Sequence, residues 1–160
     1  MMTLNSPRLR GWLWAGLVAA GLGVLPRALA GSLNLRVQLV WGTDVARPKE
    51  AKYEPLETKI KDKLARVFKW KNYFVIHEHK VALSHQDGAK RLKMSAKCEI
   101  ELKYLDESTL EIKLFGEGKW TKTVRQSVKA LEQGELAVLA GDDKDHYNDA
   151  WFVVLSASGA

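Results

Sequence analysis

Apolar and polar side chains alternate along most of this chain, and only one stretch repeats at helical spacing. Leu33, Leu35, Val37, Leu39 and Trp41 share one parity, with Asn34, Arg36, Gln38 and Val40 between them. That is the pattern of a strand buried on one face. Gly42-Thr43-Asp44 ends it, and a polar connection with Pro48 and Pro55 as breakers follows. Leu56, Ile60, Leu64 and Val67/Phe68 then recur at helical spacing and predict an amphipathic helix over Pro55 to Phe68. Pro55 suits the first helical position, where its missing N–H costs nothing. Lys59, Lys61 and Lys63 form the polar face.

The period of two then returns. Tyr73 to Leu83 reads as a strand with no clean polar face, which leaves its register open. His85-Gln86-Asp87-Gly88 reads as a turn. Leu92, Met94, Ala96, Cys98, Ile100, Leu102 and Tyr104 keep one parity across a bend near Ser95. Asp106-Glu107-Ser108 turns the chain into Leu110, Ile112 and Leu114, which predicts a hairpin. Beyond Gly116-Glu117-Gly118 comes a strand with Trp120, Val124 and Val128 on one side, and a turn at Gln133-Gly134. Glu135 to Ala140 and Ala150 to Ala157 complete the set. Trp151 to Leu155 is apolar on both parities, as in a strand covered on both faces. The expected fold is mainly β (α+β): an antiparallel β-sandwich or partly open barrel of about 7–8 strands with one amphipathic helix.

The first thirty residues follow a different rule. Arg8 and Arg10 precede an apolar run of 14 residues, Trp12 to Leu25, which Pro26 breaks before Ala28-Leu29-Ala30. This is the layout of a secretory signal peptide cleaved after Ala30. The run is shorter than the roughly 17–25 residues a membrane-crossing helix needs. The expected organisation is a signal peptide over 1–30 and a single domain over 31–160, exported to the periplasm or beyond, with no transmembrane segment in the mature chain. Without Arg8, Arg10 and Arg27, 22 basic residues face 19 acidic ones, and a net charge of +6 becomes +3. That charge is ordinary and argues against a nucleic-acid partner, which requires a concentrated basic footprint.

Cys98 is the chain's one cysteine, so no internal disulfide can form. Its parity with Ile100, Leu102 and Tyr104 places it in the core as a small hydrophobe. His77 and His79, two apart on a strand, project to one face at a spacing suited to two ligands of a single ion, with His85 as a third. The metal would be zinc or another divalent transition ion, and the plainer alternative is a pair of solvated strand histidines with no cofactor. The acidic stretch Asp142 to Asp149 suggests Ca²⁺ by composition. It lacks the glycine and glutamate of the helix–loop–helix calcium pattern: counted from Asp143, those positions hold Asn148 and Val154. A capped polar loop is the expectation there. Gly116-Glu117-Gly118-Lys119 lacks the spacing of a phosphate loop, and no Gly-x-Ser-x-Gly marks a nucleophilic serine.

Leu39-Val40-Trp41-Gly42-Thr43-Asp44, Phe68-Lys69-Trp70-Lys71-Asn72-Tyr73-Phe74, Cys98-Glu99-Ile100-Glu101 and Ala150-Trp151-Phe152-Val153-Val154 resemble a group of small, uncharacterised exported bacterial proteins. The resemblance spans most of the mature chain and carries no known activity. It implies a bacterial envelope setting. The expected role is non-catalytic: a binding or assembly module for an envelope protein or cell-wall polymer. Its contact surface would be the basic and aromatic segment holding Lys69, Trp70, Lys71 and Tyr73. The alternatives are metal chemistry at His77, His79 and His85, and sugar binding through an exposed tryptophan, with Trp70 and Trp120 the two in polar surroundings.

Overall fold

The computed structural model describes residues 31–46, 52–140 and 149–158. The signal segment, Pro48 and the acidic loop up to Asn148 lie outside the described residues. Strand β1 (Leu33–Thr43) alternates in burial as far as Val37 and is buried at every position from there to Thr43. It is therefore covered on both sides and not on one face as its alternation predicts, and β2 is a two-residue strand, Glu54–Pro55. Helix α1 (Thr58–Leu64) leads into β3 (Asn72–Leu83). Then come β4 (Lys90–Lys93), β5 (Cys98–Tyr104), β6 (Thr109–Gly116) and β7 (Lys119–Ser127). A short helix α2 (Val128–Glu132) precedes β8 (Ala137–Ala140) and β9 (Ala150–Ala157). One sheet runs β2-β3-β1-β9-β8 and the other β4-β5-β6-β7, with every pairing antiparallel.

The five-stranded sheet lies between two apolar layers. Leu35, Val37, Leu39, Val153 and Leu155 face the four-stranded sheet and meet Ile100, Leu102, Leu110 and Ile112. Val40, Tyr73, Phe152 and Val154 face the other way, under Leu56, Ile60 and Leu64 of α1. Strand β9 is therefore covered on both sides, as its double apolar parity requires. Cys98 is half-buried against the inter-sheet core, and burial, then the nearby Glu99 carboxylate, raise its thiol pKa. The sandwich is mainly β, and among the described residues the two sheets do not close into a barrel.

Two elements depart from the sequence pattern. The helix begins at Thr58, three residues after Pro55, because the chain first runs extended beside β3. Pro55 pairs with Phe74, and Leu56 N–H donates to Tyr73 O at 2.9 Å. The apolar stripe continues through half-buried Phe68 and leaves Val67 77% exposed. Val128, expected on a strand, instead opens α2. Ser127 is the N-cap, its side chain accepting from Ala130 N–H, and Gly134 at φ +89° follows the helix. A serine cap and a left-handed glycine bracketing Val128 and Leu131 were the available signal, hidden by the shortness of the helix.

Two β-bulges redirect side chains. On β3, His77 pairs with Leu39 and Val75 with Val40, so Ile76 is the extra residue. On β7, Trp120 pairs with Phe115 and Lys122 with Leu114, so Thr121 is the extra one. Thr121 Oγ1 accepts from Gly116 N–H at 3.2 Å, which fixes the second bulge beside the Glu117-Gly118 turn. Each bulge reverses the parity of the strand beyond it. Trp120 and Val124, expected on one side, therefore face opposite ways: Trp120 is 64% exposed, whereas Val124 packs on the core.

Gly42 has a specific steric duty. A Cβ there would lie 2.6 and 2.9 Å from two ring carbons of Trp70 and 3.1 Å from Phe152. Those rings are stacked with Phe68 and cannot retreat cheaply. Gly42→Ala should destabilise the fold by about 1–3 kcal/mol in urea unfolding. Gly88→Ala, with nothing within 4 Å, should be close to neutral in the same assay.

Candidate functional site

The segment expected to make contact divides into exposed and structural parts. Trp70 is half-buried, with its ring stacked on Phe68 at 5.7 Å and Phe152 at 6.0 Å and edge-on to Tyr73 at 6.5 Å. Tyr73 is 2% exposed, and burial followed by Asp44 raises its phenol pKa. These two rings roof the core beneath α1. Tyr73 is a packing residue, not a surface contact, because its place on β3 sends it under the helix. Lys69 and Lys71 stay exposed, next to Val67, and Lys71 N–H reaches Asp44 Oδ1 at 3.2 Å.

The histidines separate as well. The bulge at Ile76 turns His77 and His79 to the parity of Val81 and Leu83, facing the four-stranded sheet. Their rings lie 4.6 Å apart at 81°, with the Nε2 atoms 3.1 Å from each other. His79 Nε2 also lies 3.0 Å from Lys93 O on β4. His85 sits beyond the end of β3 with its ring 4.0 Å from Tyr104, beside an open cleft of about 380 Å³ shared with Lys129 and Glu132. Burial, then Glu132, raise the Tyr104 phenol pKa. His85 does not join the other two, because the Ser84–Asp87 turn carries it past the end of β3 and against Tyr104 at the end of β5. Among the described residues, no group of three His, Cys, Asp or Glu side chains is arranged around one ion.

A third surface is more fully assembled: the outer face of β4-β5-β6-β7. An ion-pair chain crosses all four strands. Arg91 meets Glu101 at 3.3 Å, Lys113 meets Glu101 at 3.7 Å and Glu111 at 3.1 Å, and Arg125 meets Glu111 at 3.9 Å. The hydrogen bond to Glu111 is the first cause of Lys113's raised pKa. Arg91 also caps the Phe115 ring at 4.1 Å. Beside Phe115 stands Trp120, whose Nε1–H donates to Thr123 Oγ1 at 2.9 Å. The bond ties the exposed indole to the face instead of leaving it free to rotate. Sequence reasoning found Trp120 by its polar neighbours and missed the Phe115–Arg91 stack, since cross-strand neighbours are unreadable without the register.

Among the described residues, no helix is long and apolar enough to cross a membrane. Comparison with protein families, curated proteins and solved structures finds no match for this chain.

The β3–β4 turn carries its own titration. Asp87 accepts Ser84 N–H at 2.8 Å and pairs with Lys90 Nζ at 2.9 Å, and these bonds hold its pKa below the ordinary carboxylate value. A depressed folded pKa contributes stability above the unfolded value, lost as pH falls through the folded one. Asp87→Asn should therefore unfold in less urea than the parent at neutral pH, with the gap closing in acid below the carboxylate range. A gap that is constant across pH would remove Asp87 from the acid response.

Proposed function

We propose that this protein is a non-catalytic module exported to the cell envelope, where it binds a cell-wall polysaccharide through the outer face of the four-stranded sheet. The carrying observation is Trp120: a large indole, 64% exposed and held by Thr123, on the face crossed by the ion-pair chain from Arg91 to Arg125. An exposed tryptophan of this kind supplies apolar area with little rotational freedom to lose. The pyranose ring has an apolar face to stack on it, and its hydroxyls suit the Glu111, Lys113 and Arg125 side chains alongside. The alternating signs of that ladder favour a neutral polymer over a nucleic acid, which calls for concentrated positive charge. Export rests on the signal-peptide pattern before Gly31, and an envelope setting on the resemblance in the sequence.

The half-buried Trp70 makes the α1 side the weaker surface for this role, although Lys69, Lys71 and Val67 leave a basic, apolar corner there for an envelope protein. Co-sedimentation of the Gly31–Ala160 protein with insoluble cell-wall polysaccharide separates the two. Trp120→Ala should abolish sedimentation and change stability by no more than about 0.5 kcal/mol. Trp70→Ala should cost roughly 2–3 kcal/mol of stability and still sediment while folded. Retention of binding by Trp120→Ala sinks the polysaccharide reading. Loss of binding in a fully stable Trp70→Ala variant would transfer the contact to the α1 side.

A further inference from the structure

We infer that His77, His79 and the Lys93 carbonyl form a divalent transition-metal clip that ties β3 to β4 across the open side of the sandwich. The site is independent of the Trp120 face. Among the described residues, the outer edge of β3 pairs with no strand past Val75, since β2 covers Phe74 and Val75. Strand β4 is the edge of the other sheet, so the two edges face one another where the sandwich stays open. Two side-chain contacts span this gap: Lys90 Nζ donates to Ala82 O at 2.6 Å, and His79 Nε2 touches Lys93 O. The bulge at Ile76 puts both imidazoles at the mouth of that gap, close to a backbone oxygen of the opposite edge.

Distance and proton count both point to a cation. Imidazole nitrogens each about 2.0–2.1 Å from one ion, at cis angles near 90–110°, lie roughly 2.9–3.4 Å apart. The observed 3.1 Å falls inside that range. Hydrogen bonding satisfies the same three atoms poorly. His79 Nε2 meets both His77 Nε2 and Lys93 O, and it carries at most one hydrogen. If that hydrogen points to the carbonyl, the two imidazoles meet with none aimed squarely between them, and sharing it between both acceptors leaves two bent, weaker bonds. If His77 supplies the hydrogen, the His79 nitrogen faces the carbonyl lone pairs with none. A cation satisfies all three at once, with water completing its coordination. Two imidazoles and a carbonyl oxygen suit Zn²⁺ or Cu²⁺. His85, against Tyr104, has no part in the site.

Titration of the metal-free Gly31–Ala160 protein with ZnCl₂ or CuSO₄ alone tests the clip. The expected result is saturable binding near one ion per chain, a raised melting temperature, and slowed amide exchange along both β3 and β4. His77→Gln and His79→Gln should each lose that binding, and His85→Gln should keep it. In the parent protein, electron paramagnetic resonance of bound Cu²⁺ should show two imidazole nitrogens, a readout that survives if either variant folds poorly. Any one of three results overturns the proposal: no saturable binding, binding kept by a folded protein carrying both His77→Gln and His79→Gln, or binding with no stabilisation of β3 and β4.

Discussion

Strands β1 and β9 pair at the centre of the five-stranded sheet with apolar side chains on both faces, and each face must be taken out of water by a different partner. Leu35, Leu39, Val153 and Leu155 need the second sheet, while Val40, Phe152 and Val154 need α1 and the Phe68–Trp70 stack. Burial at about 25 cal/mol per Å² of apolar surface makes this double cover the largest favourable term available to a chain with no internal disulfide. Much else follows. Helix α1 lies across the sheet and not at its end, Gly42 has no side chain so that Trp70 can close over the strand, and Arg36 reaches Glu57 at 2.9 Å to hold the start of the helix against β1.

The double cover also sets where the molecule is free to do anything else. The middle of the five-stranded sheet is closed to ligands on both sides. What remains outward is the far face of the four-stranded sheet and the seam where β3 and β4 fail to pair. Both candidate sites lie in those places, and both depend on a bulge. Thr121 turns Trp120 out of the core, and Ile76 turns the two histidines into the seam. An extra residue costs one strand its local ladder and in return presents a side chain that regular pairing would have sent the other way.

The outer ladder from Arg91 through Glu101, Lys113 and Glu111 to Arg125 adds little stability as a set of exposed pairs. Its consequence is for recognition. By pairing charges of alternating sign, the face offers hydrogen-bonding groups with a small positive excess in place of a concentrated one, and presents Trp120 as its exposed apolar feature. That combination underlies the polysaccharide reading and distinguishes this face from the lysine-bearing corner near Lys69 and Lys71.

Alternation alone made most strands legible. The β5–β6 hairpin and the two-sided Trp151 to Leu155 read correctly, because a period of two reports burial directly wherever pairing is regular. Leu33 to Trp41, by contrast, was legible as a strand but not as one buried on both faces from Val37 onward. The apolar stripe Leu56, Ile60, Leu64 and Phe68 was equally visible, although Pro55 was drawn into pairing with Phe74 before the helix could begin. Tertiary structure alone decided the faces. Sequence puts Tyr73 on one parity with His77 and His79, and Trp120 on one parity with Val124. A single unpaired residue on each strand separates them, so that Tyr73 goes under α1, the histidines go to the seam and Trp120 goes to solvent. A periodic pattern records which residues alternate. It holds no record of where the hydrogen-bond ladder skips one, since that skip is set by the partner strand and by the layer each side chain must meet.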